Sequence, residues 1–373
     1  MTGEPRDTSL SKRLSGADAL VLGTSAKASE LPKLLGEVLD AYSEVTYRDN
    51  FAWIDYLSLI TDKTLIATLD ERLATQLAAG DTGTTHMAMP EPLGWEDVES
   101  FKITSSKTVF PDLDLDEYLE SIGSDGRSKI TVSVLKGRQV AVKFLRSGEY
   151  DGRWTLYNCL ISEQRVDGQL YVLIEGRWLA VNDTLVEEVD NFAAALPSSD
   201  VTLSDSTRGE TEPVYNKRIA LAAAGEMLCL DAKIQTPGGA SSGIELCDLL
   251  SDKGEFIHIK RKSRSSTLSH LFAQGSISAT TFASDGVYRD AVRAAIERSV
   301  DPAEKDRWLS LIPAGGDSID RSKYTVSYAV ITNSTKAGVD WLPFFSKLNL
   351  MQQGKQVRSL GFGLSITKIN IGN

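Results

Sequence analysis

Cysteine is scarce in this chain, and its few copies are poorly placed for cross-linking. Cys159, Cys229 and Cys247 are odd in number and show no CxxC spacing, which argues against a disulfide framework and against a cysteine-built zinc site. Histidine is as rare. With only His86, His258 and His270, mechanisms that need several imidazoles are nearly excluded, and His86, in the Gly/Thr-rich run GDTGTTH, reads as incidental. No apolar run approaches a membrane span and Met1–Asp18 has no signal-peptide core, so a reducing cytoplasm is the expected compartment. The motifs GxxxxGK[ST], GxSxG and HExxH are all missing, which removes support for NTPase, triad-hydrolase and zincin readings.

What is present suffices for buried cores. At 373 residues, 42% hydrophobic and 24% charged, the composition is that of a soluble globular protein with two domains expected. Residues 1 to about 15 are polar and read as frayed chain. Helices are expected over Ser29–Tyr42, with Pro32 in the first turn, over Thr64–Ala79, ended by Gly80, and opening at Asp112–Tyr118. Phe51–Ile60 is ambiguous. Lys129–Phe144 reads as a hairpin turning at Lys136-Gly137-Arg138, followed by strands over Trp154–Ile161 and Leu170–Val181 with turns at Asp167-Gly168 and Glu175-Gly176. A helix over Asp183–Ala195 completes an α+β domain with an antiparallel sheet, residues 1–200.

Leu196–Pro213 is rich in Ser, Thr, Asp and Pro and lacks apolar periodicity, so an inter-domain linker is expected, set at 201–213. Downstream, a helix (Val214–Ala224), a strand (Glu226–Ile234) and a Gly238-Gly239-Ala240 loop lead into Gly243–Gly275. Helices at 267–283 and Tyr288–Val300, a strand over Thr325–Thr332, and closing segments Leu342–Leu350 and Phe362–Ile371 complete an α/β domain over 214–373. The order is helix, three strands, helix, strand.

Gly243–Gly275 holds the densest chemistry. Ile244, Leu246, Asp248 and Leu250 alternate, Ser251–Gly254 is good hairpin-turn chemistry, and the next strand puts Phe256, His258 and Lys260 on one face. Asp248, His258 and Lys260 are therefore expected together where two strands meet. An acid, an imidazole and an ammonium there suit one divalent metal and one phosphate. Lys260, Arg261, Lys262 and Arg264 place four cations in five positions of a chain whose net charge is -11, the footprint of a phosphate backbone. Ser265, Ser266 and Thr267 are expected to cap the following helix, whose free N–H groups face the basic loop.

Asp248, a hairpin, His258-Ile259-Lys260 and a helix bearing Gln274 resemble the core of the PD-(D/E)xK nuclease superfamily. More closely, IELCDLL…FIHIKRKSRSSTLSHLFAQG is similar to the signature of a bacterial family known only as "sporadically distributed", whose members tend to lie in phage-defence and mobile genomic islands. FAWIDYLSLITDKTLIATLDERL (51–73), YVLIEGRWLAV (171–181) and WLPFFSKLNL (341–350) also look like blocks of that family, but only the central block implies chemistry. The resemblance implies a restriction-endonuclease-like αβββαβ core. It implies Mg²⁺ or Mn²⁺ held by Asp248 and the Ile259 carbonyl, a water-activating Lys260, and an orienting role for Gln274. His258 stands where that superfamily has Asp or Glu. It favours Mn²⁺ or Zn²⁺ over Mg²⁺ if it is a ligand; otherwise Glu245 or Asp231 substitutes, or the metal site is lost. Strict alternation puts Glu245 on the opposite face from Asp248, so it contributes only through a bulge.

A plainer alternative stands beside each of these. Asp248 is then a strand-end carboxylate paired for structure alone, and the basic run a solvated loop. Ser269 and His270 are then helix packing rather than phosphate contacts. Gln274 follows His270 at i, i+4, and both are expected to face the strand site; Glu226 and Asn216 are weaker candidates. Trp53, Trp154 and Trp178 read as core or interface anchors. The expected function is metal-dependent cleavage of phosphodiesters by residues 214–373, with DNA favoured over RNA, while 1–200 senses or positions. Lys260, Arg261, Lys262, Arg264, Ser265 and Ser266 are the expected nucleic-acid contacts. The alternatives are a catalytically silent nuclease fold that binds nucleic acid or a partner protein, and an RNA-cleaving defence effector. No heptad marks an oligomer, which is left open.

Overall fold

The computed structural model describes residues 2–3, 13–16, 20–24, 26–43, 55–90, 98–145, 148–230, 244–262 and 265–372. By its internal contacts the chain divides into Met1–Tyr56 and Leu57–Asn373. In Met1–Tyr56, β1 (Thr2–Gly3), β2 (Arg13–Gly16) and β3 (Leu20–Gly23) form an antiparallel sheet where the opening residues read as frayed. Backbone pairing joins those strands. A turn at Ala28–Glu30, whose Glu30 carboxylate takes the Lys27 N–H at 2.7 Å, leads into α1 (Leu31–Ser43).

The first half of Leu57–Asn373 contains β4 (Leu57–Leu59), α2 (Lys63–Ala79), β5 (Thr85–Met87), β6 (Val98–Ile103), β7 (Val109–Phe110), α3 (Leu115–Ser128) and α4 (Val132–Gly137). It continues through β8 (Gln139–Phe144), β9 (Tyr150–Thr155), α5 (Leu156–Cys159), β10 (Leu160–Val166), β11 (Gln169–Ile174), β12 (Arg177–Val181) and α6 (Asp183–Ala194). Two antiparallel sheets, ordered β4-β12-β11-β10-β5 and β7-β6-β8-β9, share one core built on Leu69, Leu73, Phe101, Tyr118, Val142 and Trp178. The expected helices start where their caps are: the Asp62 carboxylate takes the Thr64 N–H at 2.8 Å, and Asp114 takes that of Glu117 at 2.9 Å.

Two expected strands are interrupted. The Thr131 hydroxyl accepts the Val134 N–H at 3.3 Å and turns the start of the expected 129–144 hairpin into α4. The ammonium of Lys136 then reaches Asp70 at 2.8 Å, a tertiary contact that outweighs the strand propensity of Val132 and Val134. Thr155 caps Asn158 in the same way, making one helical turn inside the expected Trp154–Ile161 strand.

The second half contains α7 (Glu212–Ala222), β13 (Met227–Cys229), β14 (Leu249–Ser251), β15 (Glu255–Arg261), α8 (Ser265–Ser284), α9 (Gly286–Ser299) and α10 (Lys305–Ser310). It closes with β16 (Thr325–Thr332), α11 (Phe344–Ser359) and β17 (Gly363–Asn370). The sheet runs β13-β14-β15-β16-β17, antiparallel as far as β15 and parallel from there, so this half is mixed α/β. Phe256, Val326, Tyr328 and Val330 pack under Leu271, Phe272 and Phe282 of α8. Ile257, Ile259, Ala329 and Ile331 face Tyr215 and Ile219 of α7. The 251–254 turn forms as read: Gly254 has φ 79, and a Cβ there would sit 2.6 Å from the Lys323 carbonyl. The strand expected from Ile244 begins only at Leu249.

The stretch expected as a linker lies along this sheet. Ser199 and Asp200 donate to the buried Glu255 carboxylate at 2.6 and 2.9 Å. Ser206 bridges to Ile371, giving its N–H to the Asn370 carbonyl and accepting from Gly372. Polar side chains and unpaired backbone are what a strap on a sheet edge uses, so composition alone does not distinguish it from a linker. Trp154, Trp178, Trp308 and Trp341 are buried, as anchors should be; Trp53, Arg264, Asp231 and the Gly238-Gly239-Ala240 loop lie outside the described residues. Among the described residues no helix is long and apolar enough to cross a membrane.

Candidate functional site

β15 is longer than its antiparallel neighbour. The β14 ladder ends at Leu249 opposite Ile257, which leaves the next two N–H groups on that flank, those of Ile259 and Arg261, without a strand partner. Carboxylates take both. Asp248 accepts from Ile259 at 2.6 Å, and Glu212, the first residue of α7, accepts from Arg261 at 2.9 Å. The second oxygen of Glu212 meets the Lys260 ammonium at 2.9 Å. Two residues of strand rise set the two N–H groups about 7 Å apart. The result is an acid, an ammonium and a second acid along one open strand edge.

Asn216 lies one helical turn beyond Glu212 on α7. It is buried, and neither atom of its amide has a hydrogen-bond partner among the described residues. Such a group is rare and asks for a ligand or an ordered water. Glu212 does not stand out in the sequence, because its signal is only a Thr-Glu-Pro helix start inside a polar stretch. Asn216 is a weak candidate in the sequence and gains from its place in the fold.

The basic run is divided among different tasks. Lys260 serves Glu212. Arg261 turns to the strap, donating to the Ser206 hydroxyl at 2.7 Å and the Glu210 carbonyl at 2.6 Å. Beside it the Arg218 guanidinium holds the Glu210 carboxyl down at about 2. Lys262 gives its ammonium to the Trp341 carbonyl at 2.7 Å. Ser265 and Ser266 fall in the first turn of α8.

His258 is not brought to the carboxylates. It is 4% exposed, with Nε2 at 3.3 Å from the Ser278 hydroxyl and its ring beside Tyr328. Phe256 and His258 share the face under α8, as alternation requires, and that face is the core. Gln274 and His270 are exposed on α8, whereas Leu271 and Phe272 turn inward, so neither of the two faces the strand edge. Glu245 lies within electrostatic reach of Cys247 and of Tyr288 on α9. Glu226 joins the sheet through its carbonyl, which accepts the Asp252 N–H at 2.9 Å.

Burial pushes the His258 imidazole down to about 4, and that of His86 on β5 likewise. A buried neutral histidine stabilises the fold above its unfolded value near 6.5, and that contribution is lost as pH falls towards 4. Between pH 6.5 and 5 His258 alone should therefore cost ~2 kcal/mol of folding free energy. Urea midpoints for the wild type should fall over that interval, and the fall should be smaller in His258→Gln. An equal fall in both proteins would mean that the imidazole is not held neutral.

Among the described residues no three His, Cys, Asp or Glu side chains gather as metal ligands. The strand-edge cluster supplies two carboxylates, each with one oxygen already on a backbone N–H. Mg²⁺ takes roughly six oxygens, of which a protein commonly supplies one or two carboxylates and water the rest. The arrangement is an acid–lysine cluster on the open edge of a mixed α/β sheet. The chain belongs to DUF6119, a family of unknown function, whose model matches residues 1–370. No curated protein and no solved structure matches it.

Proposed function

We propose that Leu57–Asn373 is a nuclease-type unit acting on nucleic acid, with a core like that of the PD-(D/E)xK superfamily and a reactive cluster of Glu212, Asp248 and Lys260. The observation that carries this reading is the 2.9 Å pair between Lys260 and a carboxylate delivered by the helix that precedes the sheet, next to Asp248 on the same strand edge. The ammonium offers positive charge where phosphoryl oxygens would gather negative charge in a phosphodiester under attack. A neighbouring carboxylate can take the proton from the attacking water as the new P–O bond forms and the old one breaks. The similarity to a bacterial family of defence and mobile islands supports a cytoplasmic role against foreign DNA. The burial of His258 favours a second reading, a scaffold that binds nucleic acid without cutting it.

The test is cleavage of supercoiled plasmid, single-stranded DNA and total RNA by the full chain, with Mg²⁺, Mn²⁺ or EDTA. Glu212→Gln, Asp248→Asn and Lys260→Ala should each lower the rate by ~10²-fold or more, the scale of losing an acid–base or charge-stabilising group. A wild type that binds but never cuts would move the function to the scaffold reading. Equal cleavage by all four proteins would remove the cluster from the chemistry.

A further inference from the structure

On the other side of the β15 terminus lies a cleft of about 1360 Å³. It is bounded by α2, the loop before β5, β10, the ends of β15 and β16, and the start of α11. Small-molecule sites span roughly 300–1,000 Å³, so this one suits a longer ligand. Its floor is the pair of carboxyl ends of two adjacent parallel strands, where open α/β sheets take their ligands.

Five cations line it: Arg72, Arg165, Lys262, Lys336 and Lys347. Lys347 is committed to Asp190. Among the described residues no carboxylate forms an ion pair with any of the other four. Lys262 rests on a neutral carbonyl, and burial together with the nearby Lys336 lowers its pKa. The Glu163 carboxylate acts on Lys262 in the opposite sense but more weakly, so the two like charges still repel across one space. Of the carboxylates in the cleft, Glu163 is already engaged: it accepts the Phe344 and Phe345 N–H groups at 2.8 Å each and closes the α11 terminus. That removes the helix end as a ligand site; of the other two carboxylates in the lining, Asp81 accepts the Gly83 N–H at 3.0 Å and Asp340 stands beside the five cations.

The rings at the wall, Trp341 and Phe344, are buried, so they offer no stacking face. Contact must run through phosphates, without regard to base. The cleft volume equals that of a cube of ~11 Å edge, which suits one strand better than a duplex, whose major groove alone is ~12 Å wide.

We infer that this cleft holds the phosphate backbone of a single-stranded nucleic acid, with Lys262 and Lys336 as its principal phosphate ligands and Arg72 and Arg165 flanking them. The inference rests on nucleic acid being the ligand of the proposed function, and not on cleavage. It adds residues far from the basic run, on α2, β10 and the loop after β16.

Anisotropy titrations of the full chain with a fluorescein-labelled oligo-dT strand, the matching oligo-U strand and a duplex of equal length test it. Lys336 is exposed, so Lys336→Glu should fold as the wild type does, which melting curves check. Single-strand affinity should fall at least tenfold in Lys336→Glu and in Lys262→Ala. The slope of log K against log salt should shrink by about one for each phosphate that is no longer neutralised. Lys355→Ala, on a lysine paired with Glu188 outside the cleft lining, should bind like the wild type. Wild-type affinity in both cleft variants, or tighter binding of the duplex, would overturn the inference. Loss of binding in Lys260→Ala but not in Lys336→Glu would overturn it while leaving the strand-edge cluster intact. Loss in the cleft variants of a protein that never cuts nucleic acid would uphold it and reject only the cleavage reading.

Discussion

Asp70→Ala should cost about 3–5 kcal/mol of folding free energy, the scale of breaking a buried charged network from one side. Asp70 is 5% exposed on α2 and accepts three donors from three other elements. Tyr157 Oη on α5 and Trp178 Nε1 on β12 share Oδ1 at 2.5 and 2.8 Å, and Lys136 Nζ on α4 takes Oδ2 at 2.8 Å. Burial and the adjacent carboxylate together raise the Tyr157 phenol well above its ordinary value, so it stays a donor. Alanine would leave a phenol and an indole buried with no acceptor. Asp70→Asn keeps an oxygen for them but turns an amide towards Lys136, and should lose less, ~1–3 kcal/mol. Urea unfolding at neutral pH checks both. A loss below about 1 kcal/mol in Asp70→Ala would mean that water or another group takes over the three donors.

Gly275→Ala should destabilise by ~1–3 kcal/mol, through overpacking. Taken by itself, helix propensity predicts the opposite sign, because alanine is better than glycine inside a helix by ~1 kcal/mol. Geometry decides between them. A Cβ on Gly275 would sit 2.5 Å from the Tyr328 ring and 2.6 Å from its hydroxyl, and Tyr328 is fully buried with that hydroxyl on the Phe272 carbonyl at 2.8 Å. The ring has nowhere to swing without losing its hydrogen bond. Any gain in melting temperature from this substitution would show that α8 does not press on β16 as closely as these distances imply.

Much of the fold is legible in the sequence where the chain is locally consistent. The strand at Thr325–Thr332, the turn at Ser251–Gly254 and the helix ending at Gly80 have period, turn chemistry and caps that agree. Lys129–Phe144 fails because one threonine hydroxyl and one distant carboxylate outweigh a β-branched pattern. The 196–213 strap is misread because its partners, Glu255, Asn370 and Gly372, are remote in sequence. At the candidate site Asp248 and Lys260 are legible, since alternation and a hairpin bring them near. Glu212 is not, because nothing local says that the start of α7 ends up against β15. His258 shows the limit of alternation: it tells which residues share a face, but not whether that face is buried. Gln274 shows the same limit on a helix, where i, i+4 from His270 identifies a common face that here is the outer one.

The carboxylates of Asp248 and Glu212 have one more effect, independent of any chemistry. Where β15 outruns β14 it would offer a short bare edge, and a bare edge invites another chain to add a strand. With the Ile259 and Arg261 N–H groups already taken, and with negative charge standing over them, an incoming strand would find no donors and would meet repulsion from its own carbonyls. The end of β15 is therefore guarded against self-association by the same two side chains that close its hydrogen bonds.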